Sequence, residues 1–175
     1  ALAMGADRAL HVEAEAAPEP LAAARILAAA AEREQPGLLV MGKQAVDDDD
    51  AQVPQMLSAL LNWPVATCAN KIDVADGACT VSRETDAGDM IVRAALPCVV
   101  SADLRLAEPR YVTLANKMKA RKKKIDKAAA ADLAGGAAAL VELVEAVDPP
   151  ARAAGVKLAG VDELIDKLKN AAKAL

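Results

Sequence analysis

The chain has 175 residues, a size that suits one domain burying roughly 70% of the surface its unfolded form exposes. Its 54% hydrophobic fraction is largely alanine and its aromatic content only 1%, so the core must be aliphatic. A net charge of −4 and no aromatic interleaving argue against nucleic acid, and no apolar run approaches the roughly eighteen residues that cross a bilayer, so the chain reads as soluble and intracellular with no direct membrane insertion.

Ala1 to Ala6 reads as the last turn of a helix closed by Gly5, followed by a short strand at Ala9 to Val12. A domain rarely begins on a helix end, so a preceding segment is expected to be missing from this chain. His11, the one histidine, is expected near the surface of that strand; without a partner it makes no nucleophilic triad. Pro18 opens a helix that places Leu21, Ala24, Ile26, Leu27 and Ala30 at near-helical spacing up to Arg33, and Pro36-Gly37 stops it. Leu38 to Met41, bounded by Gly37 and Gly42, reads as a strand buried on both faces of a parallel sheet. Strand, helix and strand in this order imply a right-handed crossover.

A loop then runs from Gly42 to Val53, ahead of a helix from about Pro54 to Leu61 with Met56, Leu57, Leu60 and Leu61 turned inward. Ligands of parallel sheets sit at the carboxyl ends of strands, where a following helix offers free N–H groups to an anion. Gly42 permits close backbone approach, and the amides around Ala51, Gln52 and Val53 suit a phosphate. Two other readings of Asp47 to Asp50 stay open. Consecutive acids lack the alternating spacing of an EF-hand, which weakens a cation site, and a solvated acidic loop at a helix N-terminus is the plain alternative.

Between Ala66 and Ala102 the period switches to two. Thr67–Val74, Cys79–Thr85 and Met90–Leu96 read as a small antiparallel meander turned at Asp76-Gly77 and Ala87-Gly88-Asp89, and Cys98-Val99-Val100 returns as an apolar strand. Cys68, Cys79 and Cys98 are odd in number, widely spaced and set among apolar neighbours, which reads as small buried hydrophobes rather than metal ligands or a disulfide.

Asp103 to Lys124, DLRLAEPRYVTLANKMKARKKK, is the most informative stretch. It sets Leu114 beside a run of Lys117, Lys119, Arg121, Lys122, Lys123, Lys124 and, further on, Lys127. A basic collar around an exposed leucine suits an acidic protein partner, with steering from the charges and an anchor from the leucine; a solvated helix face is the bland reading. Lys127 to Val147 is alanine-rich, broken by Gly135-Gly136, with a strand or short helix at Leu140–Val147. Asp148-Pro149-Pro150 reads as a hinge. Val161 to Leu175 reads as an amphipathic helix with Leu164, Ile165, Leu168 and Ala172 inward.

Read in order, DLRL, EPRY, TLAN and MKARKKK, GKQAVDDDDAQVPQM from Gly42 to Met56, ALAMGADR at the start, Asn62-Trp63-Pro64 and Asp148-Pro149-Pro150 through Lys157 resemble the electron-transfer flavoprotein beta subunit over nearly the whole chain. The resemblance implies an α/β fold: a Rossmann-like parallel sheet with flanking helices, a small antiparallel meander and an extended C-terminal arm. The expected division is an N-terminally incomplete domain at 1–126, carrying the docking loop 103–124, and an arm at 127–175 against the alpha subunit. It implies AMP at Gly42, Lys43, Gln44, Ala45, Asp47, Ala51, Gln52 and Val53, and FAD held mainly by the alpha partner. Arg105, Glu108, Arg110, Tyr111, Leu114 and Met118 would dock acyl-CoA dehydrogenases, with Lys119 and Lys122 as methylation candidates. Electrons would pass toward a membrane quinone oxidoreductase, in the mitochondrial matrix or a bacterial cytoplasm, with no bond-making catalysis by this chain.

The sequence departs from that family at two places. Asp50, Ala51, Gln52, Val53 and Pro54 stand where members carry a small or neutral residue, Asn, Gln, Thr and Gly, so two side-chain donors and one amide N–H are gone and a carboxylate is added. Ala115 and Lys117 replace the usual Pro and Ile of the docking loop. The rival expectation is a repurposed paralogue acting as a structural subunit of a larger assembly, with neither AMP nor electron transfer.

Overall fold

The computed structural model describes residues 1–134 and 140–174. Leu2–Met4 form one 3-10 turn closed by Gly5 at φ 118°, a conformation open to glycine at no steric cost. The elements that follow are β1 (Ala9–Glu13), α1 (Pro20–Glu34), β2 (Leu38–Gly42), α2 (Val53–Leu61), β3 (Val65–Ala75), β4 (Ala78–Thr85), β5 (Gly88–Ala95), β6 (Cys98–Ala102), α3 (Leu114–Arg121), β7 (Ile125–Ala129) and α4 (Ala130–Ala134). β7 and α4 fall in the alanine-rich stretch where sequence offered few anchors. The Gly135-Gly136 break lies outside the described residues.

Five strands form one sheet in the order β2-β6-β3-β4-β5, with β2, β6 and the start of β3 parallel and β3, β4 and β5 antiparallel. The meander is therefore continuous with the parallel strands. β3 makes the switch at a bulge, where Cys68 takes φ 58° and its amide donates to Ser101 Oγ at 3.0 Å. The core alternates along β6 with the period of a strand. Cys98 and Val100 join Ala66, Ala69, Cys79, Val81 and Ala94, while Val99 turns to Ala28 of α1 and Leu57 of α2.

Three expectations need correction. β2 is an edge strand with Val40 54% exposed, not a strand buried on both faces, because an apolar run does not say how many neighbours it will have. β1 pairs in parallel with β7 in a separate two-stranded sheet, so β1, α1 and β2 do not close a crossover within one hydrogen-bonded sheet. Leu140–Val147 forms neither strand nor helix, and its large apolar side chains are exposed.

The buried faces of the helices also differ in detail. α1 begins at Pro20, a residue suited to a first helical position, and turns Ala22, Ala24, Ala28 and Ala31 inward while Leu27 stays exposed. Small residues let α1 lie close over its neighbours. In α2 Leu57 is buried at 2% exposure but Leu60 is exposed, and Ser58 takes the inward place by donating its hydroxyl to Trp63 O at 2.6 Å. Cys79 and Cys98 are buried and Cys68 partly so. Burial, with a smaller contribution from Cys79, pushes the Cys98 thiol up to about 11.

By its contacts the chain divides into Ala1–Glu142 and Leu143–Leu175. The smaller unit is irregular up to α5 (Val161–Asn170), including Asp148-Pro149-Pro150. Leu164 and Ile165 on α5 are exposed, as is Ala172 beyond it, and Leu168 is half-buried. Among the described residues no helix is long and apolar enough to cross a membrane.

Candidate functional site

β2 ends at Gly42 and β6 at Ala102, and these two residues are partners in register. Beyond β2 the chain enters the acidic loop; beyond β6 it enters the basic segment. The parallel pairing thus brings the roots of both candidate regions to the carboxyl end of the same strand pair, where open α/β sheets place their ligands.

The loop encloses a cavity of about 290 Å³, close to the lower bound of ordinary small-molecule pockets. Gly42, Lys43, Gln44, Ala45, Ala51, Gln52 and Val53 are among the residues that line it. Asp47 does not; it is exposed on the outer turn. Pro20, Met41, Asp48, Asp50 and Pro54 also line the space, and Pro20 comes from α1, which no local motif would signal. The loop holds its shape through its own bonds: Gln44 Nε2 donates to Asp49 Oδ1, the Asp49 amide to Ala45 O at 3.2 Å, and Asp49 and Ala51 take φ 56° and 53°. Gln52 caps α2 without a side-chain bond, so the Val53 and Gln55 amides keep their donors free, while Pro54 between them has none.

Apolar walls from Met41, Pro20, Val53 and Pro54 suit a planar base, and the free amides with Lys43 suit one anionic group. Lys43 is the one cation in the lining, against Asp48 and Asp50. Its ammonium lies 2.8 Å from Asp103 Oδ2, with the carboxylate side chain only 12% exposed. The hydrogen bond to Asp103 raises the Lys43 pKa, and the same bond, first among several causes, holds Asp103 below the usual carboxylate range.

Asp103 also roots the basic segment. Its amide donates to Ala69 O at 2.9 Å, and Oδ1 accepts the Arg105 amide at 3.3 Å. Arg105 in turn bonds Glu84 on β4, and Leu106 packs against the core cluster that β3, β4, β5 and β6 share. From there Glu108, Arg110 and Tyr111 are exposed, with the Arg110 guanidinium against Gly5. The segment is not a loop throughout. Thr113 caps α3 by accepting the Asn116 amide, so Leu114, 76% exposed, is the first residue of a helix.

Met118 is exposed on α3, where Arg121 Nη1 approaches its sulfur at 3.9 Å. Lys119 and Lys123 line a cleft against Leu2, Ala3 and Gly5, while Lys122 is exposed at the helix end. Arg105, Leu114 and Met118 therefore share one segment, but Arg105 is held by Glu84 and Asp103 whereas Leu114 and Met118 are exposed. The role of Asp103 was missed in the sequence because sixty residues separate it from Lys43; only strand register joins them. Among the described residues no group of three or more His, Cys, Asp or Glu could hold a metal ion.

The family model for the electron transfer flavoprotein domain matches residues 1–133. The chain is 51% identical over 179 aligned residues to the mitochondrial electron transfer flavoprotein subunit beta of Oryza sativa subsp. indica, covering 100% of this chain and 71% of that protein. It is 50% identical to the subunit beta of Bradyrhizobium diazoefficiens, covering 99% of this chain and 70% of that one, and 48% identical to that of Mus musculus, covering 97% and 68%. With similarity this high along the whole chain, and an α/β sheet that presents both loops at one end, the chain belongs to the electron transfer flavoprotein beta subunit family.

Proposed function

We propose that this chain pairs with an electron transfer flavoprotein alpha subunit, and that the flavin of the pair receives electrons from acyl-CoA dehydrogenases docked on residues 103–124 of this chain and passes them toward a membrane quinone oxidoreductase. The observation that carries the docking reading is Leu114: an apolar side chain 76% exposed at the start of a capped helix, amid lysines, on a segment rooted in the most buried strand. Tyr111 and Met118 extend the apolar contact, and the lysines steer an acidic partner. FAD is held mainly by the alpha partner, which performs the redox chemistry; no residue of this chain is assigned to the flavin, and no bond-making step is assigned to this chain. The segment 127–175, in which Val161, Leu164 and Ile165 of α5 lie exposed, contacts the alpha subunit. Lys122, exposed at the helix end, and Lys119 are the methylation candidates.

The 290 Å³ cavity is read as the AMP site, with the base against Met41, Pro20 and Val53 and the phosphate toward Lys43 and the first amides of α2. Plant relatives named as mitochondrial on one side and a bacterial relative on the other support a mitochondrial matrix or cytoplasmic setting. The test is to purify the tagged protein from its source and record its visible spectrum and partner subunits. A co-purifying flavin that bleaches on adding a reduced acyl-CoA dehydrogenase, with bleaching slowed about tenfold by Leu114→Ala, supports the carrier reading. A colourless protein fixed in a larger assembly supports the second reading, a structural paralogue. What favours that alternative is the acid in the cavity, Asp48 and Asp50, against a lysine already engaged by Asp103.

A further inference from the structure

Lys43 and Asp103 are the residues that immediately follow the paired ends of β2 and β6, and the Lys43 amide extends that ladder by donating to Ala102 O at 3.3 Å. Their side chains meet at 2.8 Å, half-buried on the lysine side and nearly buried on the acid side. One end of this bridge lines the cavity; the other anchors the docking segment through the Arg105 amide. We propose that Asp103 is a positioning residue that shares Lys43 with an adenylate phosphate in the cavity, so that nucleotide occupancy and the anchoring of the docking segment are coupled. The inference rests on the AMP reading of that cavity.

The physical case is competition for a single cation. Among the lining residues only Lys43 is positively charged, so a phosphate arriving beside Asp48 and Asp50 draws on that ammonium in addition to the amides at the start of α2. Whatever the phosphate takes, Asp103 loses; with Oδ2 no longer fixed by the lysine, the carboxylate is free to turn toward the Arg105 guanidinium, whose Nε lies 3.6 Å from Oδ1, and the Arg105 amide is held in a less fixed geometry. The Arg105–Glu84 pair and the packing of Leu106 keep the segment attached, so the change is one of local order rather than release. Coupling of this kind is reciprocal: a partner that fixes residues 105–118 in the anchored form must lower adenylate affinity by the same factor.

The experiment uses the complex with its alpha partner, dialysed free of nucleotide, with AMP as the probe. Isothermal titration measures AMP affinity, and amide hydrogen exchange over 103–112 reads the docking segment. Asp103→Asn is expected to tighten AMP about fivefold, the scale of one partly screened ion pair. Lys43→Met is expected to weaken AMP. In the parent protein AMP should speed exchange over 103–112, in Lys43→Met it should not, and Asp103→Glu should keep the effect. If AMP binds but Asp103→Asn leaves its affinity unchanged, or exchange ignores AMP in the parent protein, the coupling is wrong while the nucleotide site stands. If AMP binds none of these forms, the site reading falls and takes the coupling with it. Should Asp103→Asn fail to fold, the AMP dependence of exchange in the parent and in Asp103→Glu decides alone.

Discussion

The hydroxyl of Thr113 accepts the amide of Asn116 at 3.2 Å, and this one bond sets where the basic helix begins and therefore where Leu114 stands. Removing an N-cap hydroxyl typically costs about 1 kcal/mol of helix stability. Because α3 buries no residue, that cost falls on the helix rather than on the domain. Thr113→Ala is expected to lower protection of the Lys117 and Met118 amides from hydrogen exchange with little change in Tm, and Thr113→Ser to restore it.

Leu57 and Leu60 sit on the same short helix with opposite fates. Leu57 is 2% exposed and packs with Ala28 and Val99, so Leu57→Ala should cost about 2 to 5 kcal/mol in urea unfolding. Leu60 is 45% exposed, and Leu60→Ala should stay within about 0.5 kcal/mol. Equal losses at the two positions would mean that α2 is rotated from the orientation described.

The Lys43–Asp103 bridge carries a definite pH signature. Asp103 titrates below its usual value when folded, so its contribution is present above the ordinary carboxylate pKa of about 4 and is lost as pH falls through the lowered one. Lys43 titrates above its usual value, so its contribution is complete below about 10.4 and is lost as pH rises through the raised one. Denaturation of the parent chain and of Asp103→Asn should differ by a constant amount from about pH 5 to 9, with the gap closing on both sides.

Thiol labelling separates the three cysteines. Cys79 and Cys98 are buried, and Cys98 holds its proton to about 11, so a maleimide at neutral pH should modify native protein only at Cys68. All three should label in denaturant. Because the folded state keeps the Cys98 proton where an unfolded thiol would lose it, stability should fall as pH rises from about 8.5 toward 11, an effect absent in Cys98→Ala.

The meander, the returning strand at Cys98–Val100, the two principal helices and the position of the acidic loop at the end of β2 were legible because each rests on local information: period two, period 3.6, turn residues, or the place of a loop after a strand. What was not legible depends on partners distant in sequence. Val40 looks like a central-strand residue until β2 is found at the edge, and β1 looks like the first half of a crossover until it pairs with β7. The inward alanines of α1 carried no hydrophobic contrast against the flanking leucines, so the helix face was misjudged at Leu27. Asp103 read as one acid at the head of a loop; its ion pair needed the register of β2 on β6.

Leu106 is the one apolar side chain between Asp103 and Lys124 that packs on the core. Everything after it, from Ala107 to the end of α3, can change its chemistry while the sheet beneath keeps its own. Selection can then vary this exposed surface almost independently of folding, because replacements there leave the packed sheet untouched. The same separation makes this segment the part of the chain where new surface chemistry can be introduced at the least cost to the fold.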